Sequence, residues 1–346
     1  MSAPDNSEED YRKATAVNWS TLKAMAKSPK HYKWALDHQD EGDTASRGML
    51  RAIHCLVLEP AVFDRDFAVV TNRRDVIANA DEAALTGTDD YADMLRHLLA
   101  GRGLDAFVVY EGKHDKRTAD YKAFQADNPG KALVKAADMQ KAQGVAADVA
   151  ALRAGCTLLS EKEHEEATTI AAAVRADSVA RRYLMDPHAR FEGVMRWTDD
   201  KTGLPCKGRF DLLILIPSED RAILIDLKGA RRVDQRGLAR DSGDMLYHGQ
   251  CAHYADGVRA SYGVSTVQCG ILAYEAKGPH DVTLAWLDPD TDLWAGEVLR
   301  DRLMARVKEC RESGEWPGQH PEPITLNLPP YHLPDHEDDT TTTEEN

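Results

Sequence analysis

Two apolar runs separated by turn residues dominate the hydropathy pattern of this chain. The first is CKGRFDLLILI, from Cys206 to Ile216, and the second is RAILIDLKG, from Arg221 to Gly229, with Pro217, Ser218 and Asp220 between them. Alternation places Leu213, Leu215 and Leu224 on one face and Leu212, Ile214, Ile223 and Ile225 on the other. Both faces are therefore apolar, as expected of strands covered on both sides at the centre of an α/β sheet. A hairpin centred between Ser218 and Glu219 sets Asp211 opposite Asp226, and directly opposed residues have Cβ atoms roughly 5 Å apart. Asp226 and Lys228 project to one face while Leu227 projects to the other. Two carboxylates that close repel in a dry setting unless a cation lies between them. Charge planted in buried strands marks chemistry, and a divalent metal is the natural resolution.

The pattern elsewhere supplies the elements around this hairpin. Ser20 reads as a helix cap, and Ser28 with Pro29 as the cap and first position of a second helix. Residues 45–58 form an amphipathic helix that carries His54 and is terminated by Glu59 and Pro60, and FDRDFAVV reads as a strand. Residues 75–110 give no clear period, and the segment from Gly112 leads into a helix. From about Lys135 to Met185 the chain reads as helix, in two Ala-rich stretches separated near Gly155. Strands are predicted at 190–197, 206–216, 221–228, 267–275 and 282–287, with helices at 243–261 and 290–312. The chain beyond Trp316 is Pro-rich and then acidic, which predicts no structure.

Composition narrows the class. The 346 residues are 42% hydrophobic, enough for a sizeable core. The polar, acidic start has no apolar leader, and no run approaches the ~20 apolar residues of a membrane span, so a soluble, cytoplasmic protein with no membrane partner is expected. Six dispersed cysteines lack metal-ligand spacing, so no iron–sulfur cluster is expected. The net charge of −15 argues against indiscriminate coating of nucleic acid. However, four acidic residues lie in the first ten positions and six in 335–346, with no Lys or Arg in either segment, so the body carries only −5. A locally basic groove remains compatible with that balance.

Asp211 followed fifteen residues later by Asp226-Leu227-Lys228 resembles the motif of the PD-(D/E)xK nuclease superfamily. Taken alone the pattern is short, and four flanking segments make it specific. STLKAMAKSPKHYKWAL, GMLRAIHCLVLEPAVF, FEGVMRWTDDKTGLPCKGRFD and YHGQCAHYADGV are similar, in order, to segments of the RecE-type, exodeoxyribonuclease VIII-like exonucleases of phages and prophages. The likeness spans residues 17–290.

That resemblance implies roles. Asp211, Asp226 and the backbone carbonyl of Leu227 would hold Mg²⁺, with Mn²⁺ substituting, as hard oxygen ligands suit a hard cation. His54 and Glu192 would be further ligands from outside the hairpin. Lys228 would orient or help deprotonate the attacking water. Gln250 and Tyr254, on one helix face with Tyr247, would position the water, the lysine or the DNA strand, or else pack that helix on the sheet. Arg196, Arg209, Arg231, Arg232, Arg236 and Arg240 are candidate phosphate contacts, with Lys113, Lys116 and Arg117 a second basic patch. His248 and His253 read as solvent-facing. Gly229 departs from the family, which commonly has Thr or Ser after the lysine, so a hydroxyl is missing near the site.

The expected fold is α/β, a central mixed β-sheet flanked by helices in a restriction-endonuclease-like core, with a helical N-terminal region closing over the site. The expected divisions are a disordered 1–16, a mostly helical 17–185 carrying His54, the nuclease core at 186–316 and a disordered 317–346. The resemblance implies a metal-dependent deoxyribonuclease that degrades linear double-stranded DNA 5′ to 3′ from its ends for recombination and repair. It also implies a single-strand annealing protein as partner, a ring-like homo-oligomer, and a bacterial or phage-infected cell as setting. The rival readings are a structure-specific endonuclease of the same superfamily and a catalytically silent DNA-binding phage protein.

Overall fold

The computed structural model describes residues 16–38, 45–70, 107–110, 119–129, 131–135, 155–320, 322–329 and 332. Its centre is a five-stranded mixed sheet in the order β5 (Ala189–Thr198), β6 (Pro205–Ile216), β7 (Arg221–Ala230), β8 (Thr266–Glu275) and β9 (Val282–Trp286). β7 and β8 are parallel and the other neighbours antiparallel. Two further parallel pairs join β1 (Phe67–Val70) to β4 (Thr157–Ser160) and β2 (Phe107–Tyr110) to β3 (Ala132–Lys135).

The β6–β7 hairpin has the register that the sequence predicts. Ile216 pairs with Arg221 and the ladder runs to Leu212 opposite Ile225, so Asp211 and Asp226 are the next pair along. The turn is a short 3₁₀ helix at Pro217–Glu219, closed by Asp220 in the left-handed region. At the two aspartates the ladder ends and the strands part.

Each face of the sheet carries its own core, as the alternation predicts. Leu213, Leu224, Ile271 and Cys269 pack under α1 (Trp19–Leu22), α9 (Tyr247–Tyr262) and α10 (Trp294–Ser313). Leu212, Ile214, Ile225 and Leu227 pack under α3 (Ala45–Leu58), α6 (Glu161–Ala176) and α7 (Ser178–Leu184). The sheet is thus the middle of three layers, which is why its central strands are apolar on both sides. The N-terminal segment also contributes α2 (Pro29–Asp37), capped by Ser28 with Pro29 in its first turn as predicted. A short α4 (Phe63–Asp66) precedes β1, and α5 (Ala119–Asp127) follows residues outside the description.

Three predicted boundaries change. The cap of α1 is Asn18, whose side chain accepts from the Thr21 N–H, and Ser20 lies inside the helix. The stretch read as helix from 135 to 185, broken near Gly155, contains β4 just after that break, because Leu158 and Leu159 are drawn into the apolar layer beside β1; a capping box of Ser160 and Glu163 then starts α6. The helix expected at 243–261 is α9, which begins at Tyr247 after Leu246 in the left-handed conformation, and a separate α8 (Gln235–Asp244) that was not expected precedes it.

Candidate active site

The site forms where β6 leaves β7. With the ladder finished, the Leu227 N–H has no cross-strand carbonyl on that side and donates instead to Asp211 Oδ2 at 2.7 Å. On the other flank, β5 and β6 are paired from Ala189↔Ile214 to Thr198↔Pro205, save at the one level where Glu192 faces Asp211. Glu192 there has a φ of 50°. The consequence is a slip in the alternation of both strands: Phe191 and Leu212 face the α3 side, while Met195 and Phe210 face the α9 side. Gly193 permits this, since a Cβ there would lie 2.1 Å from Phe210 Cζ. The twist turns Glu192 and Asp211 together towards α3.

From α3, His54 presents Nδ1 3.7 Å from Asp211 Oδ2, too far for a hydrogen bond. One ligand atom each from His54, Glu192 and Asp211 lies within 4.8 Å of the others, the one such group among the described residues. Ligands of a six-coordinate cation with bonds of 2.0–2.6 Å stand about 3 to 5 Å apart, so the spacing fits. Burial and then the Lys228 charge bring the His54 pKa down to about 4, with Asp226 and a hydrogen bond to the Leu227 backbone opposing. The imidazole is therefore neutral near pH 7, the form that can coordinate a metal. Glu192 Oε2 is held 3.0 Å from Arg209 Nε.

Asp226 lies outside that group of three. Its Oδ1 accepts from Gln250 Nε2 on α9 at 2.9 Å, and its Oδ2 faces Lys228 Nζ at 2.6 Å. Burial, reinforced by the Asp211 charge against the pull of Lys228, raises the Asp226 pKa to about 6. Burial also raises Asp211, with Lys228, the Leu227 hydrogen bond and Arg209 opposing. Burial alone would depress Lys228, but Asp226 and Asp211 outweigh it and hold its pKa above the ordinary value. The ammonium also lies over the Tyr247 ring, 5.3 Å from its centroid. Tyr254 packs its ring over Gly208 of β6, 3.1 Å from where a Cβ would stand.

The remaining predicted residues fall elsewhere. Arg196 is exposed on β5 opposite Lys207, and the arginine beside Glu192 is Arg209. Arg231, Arg232, Arg236 and Arg240 are exposed along the approach to α8 and on it, with Arg232 paired to Asp234 at 2.7 Å. Lys113, Lys116 and Arg117 lie outside the described residues. His253 is not solvent-facing: it is fully buried beside Trp19 and Trp197, because α9 is enclosed by β5, α1 and α10. His248 is half-buried, with Nδ1 3.1 Å from the Ser242 carbonyl.

Two neighbours escaped the sequence reading. Lys23 has its pKa lowered by burial and then by the Lys228 charge, so a second lysine lies within the field of the motif lysine. Its signal was present in the STLK segment. Tyr274 of β8 stands in register with Gly229 and had no motif to reveal it.

A mixed sheet flanked by helices, parting at an aspartate pair with a lysine two residues on, defines the PD-(D/E)xK nuclease superfamily. Within it, the chain belongs to the family of PDDEXK-like domains of unknown function DUF3799, matched over residues 18–323. No curated protein matches the chain. Among solved structures it is similar to a candidate exonuclease from Eubacterium rectale, with 15% identity and a TM-score of 0.35 over 77% of this chain and 92% of that one. It is also similar to SSO0001, with 16% identity and a TM-score of 0.23 over 42% of this chain and 68% of that one.

Proposed function

We propose that this protein is a metal-dependent deoxyribonuclease, acting as a 5′ to 3′ exonuclease on the ends of linear double-stranded DNA. The observation that carries the reading is the convergence of His54 with Glu192 and Asp211 beside a buried Asp226–Lys228 pair. This arrangement has no evident structural purpose, since an apolar replacement of the charges would hold the sheet as well. His54, Glu192 and Asp211 would hold the metal, Mg²⁺ or Mn²⁺, with Asp226 and the Leu227 carbonyl completing the set. When bound, such an ion offsets charge on a scissile phosphate and activates water.

The protein's own groups would do the rest. Lys228 stays protonated next to Asp226, so it serves as a hydrogen-bond donor that orients water and phosphate rather than as a free base. Gln250 fixes the Asp226 carboxylate, and Tyr254 and Tyr247 hold α9 against β6 and the lysine. Arg196, Arg209, Arg231, Arg232, Arg236 and Arg240 would follow the phosphate backbone. A ring-like homo-oligomer would retain its DNA, and a single-strand annealing protein would take up the tail during recombination or repair of bacterial or phage DNA.

The test is incubation with Mg²⁺ of linear duplex labelled at either end, alongside closed circular duplex. Wild type should shorten the strand from its 5′ ends and spare the circle, and Asp226→Ala should lose at least a hundredfold in rate. Cutting of the circle would convert the assignment to an endonuclease. Undiminished activity in Asp226→Ala would remove the proposed site.

A further inference from the structure

Tyr274 is fully buried, and its hydroxyl has no hydrogen-bond partner among the described residues. Leaving a buried hydroxyl unpaired is costly, and a phenylalanine would fill the same space without that cost. The hydroxyl therefore calls for a partner beyond the described side chains, such as an ordered water. Tyr274 stands on β8 opposite Gly229 of β7 in the parallel register, and its ring leans over that glycine. A Cβ at Gly229 would meet the Tyr274 oxygen first, at 3.1 Å, and then the ring carbons at 3.3 and 3.4 Å. The tip of the phenol thus lies over β7 at Gly229, on the face where Leu227 and α3 pack. That is also the face towards which Asp211 is turned, next to His54. The hydroxyl is near enough for the Asp211 and Lys228 charges to act on it, although burial is the larger influence raising its pKa.

Gly229 gains a purpose in this arrangement. A side chain after the motif lysine would occupy the path of the phenol, so the bare backbone admits a hydroxyl from the neighbouring strand. We propose that Tyr274 is a positioning residue of the metal centre, its hydroxyl holding an ordered water that hydrogen-bonds the Asp211 carboxylate from the α3 side of the sheet. This rests on the reading of His54, Glu192 and Asp211 as metal ligands. Hydrogen bonds of this outer kind orient ligating carboxylates, and their loss typically weakens metal binding 10- to 100-fold.

Calorimetric titration with Mn²⁺ alone, without DNA, tests the assignment in wild type and Tyr274→Phe, with thermal melting of both in chelator. The expected result is a dissociation constant about tenfold weaker in the variant, with a chelator melting temperature equal to or above that of wild type. An affinity within twofold of wild type overturns the proposal and leaves the tyrosine as a packing residue. Should Tyr274→Phe fail to fold, Gly229→Ala serves instead, because its methyl would stand 3.1 Å from the hydroxyl oxygen and press it from its place; unchanged affinity there overturns the proposal equally. Failure of wild type to bind Mn²⁺ would sink the metal reading itself, an outcome distinct from unchanged affinity in the variant.

Discussion

Asp226, Lys228 and Gln250 illustrate how one buried charge recruits partners. A carboxylate with 4% of its surface exposed is tenable only with hydrogen bonds to both oxygens, and Gln250 and Lys228 supply them. The lysine was legible from its two-residue spacing and the glutamine from its place on the next helix. His253 was not legible, because nothing in YHGQCAHYADGV distinguishes its enclosed face from its wet one. Burial and then the Arg300 charge hold the His253 pKa down to about 3, against a hydrogen bond with the Lys207 backbone. In the unfolded chain the imidazole titrates near 6.5, so between pH 6.5 and 3 the unfolded state binds a proton that the folded state refuses. Stability from this group is complete above pH 6.5 and falls by about 1.4 kcal/mol for each unit of acidification below it. Urea unfolding of wild type and His253→Gln at pH 7.5, 6 and 5 should show the gap between them change by that slope. Parallel profiles would refute it.

At the scale of elements, the decisive feature is the level at which β5 and β6 change faces. An L-residue in the left-handed region costs about 1–2 kcal/mol, and Glu192 bears that strain while its carboxylate joins the His54 group. Glu192→Gly should therefore be more stable than Glu192→Ala by about 1 kcal/mol in urea unfolding, while both bind Mn²⁺ more weakly than wild type. Equal stability of the two variants would show the backbone to be unstrained. The hairpin register was readable because a period of two and one turn settle it. The slip at Glu192 was not, since strict alternation predicts one continuous face. The strand β4 was missed for a related reason: four residues leading directly into a capped helix carry too short a period to separate from it.

For the whole molecule, the layers on the α9 side are tied by Arg300 of α10. This residue is buried and ion-paired to Asp199 beside the β5–β6 turn, to Asp256 of α9 at 2.7 Å and to Asp301 at 2.9 Å. Removing one member strands the others, so Arg300→Met should lose about 3–5 kcal/mol of unfolding free energy. Mn²⁺ affinity of the folded variant should be unchanged, and a weakened affinity would show that the tie reaches the metal centre. The sequence by itself determined the central strands, their hairpin register, the two-faced burial and the motif of Asp211, Asp226 and Lys228. These depend on local periodicity, on turn chemistry and on the rarity of charge in apolar strands. Only the tertiary structure decided how near His54 comes to Glu192 and Asp211, that Arg209 pairs with Glu192, and that Tyr274 fills the place above Gly229. Those contacts join residues far apart in the chain, and their distances follow from strand twist and layer packing, which no local pattern encodes.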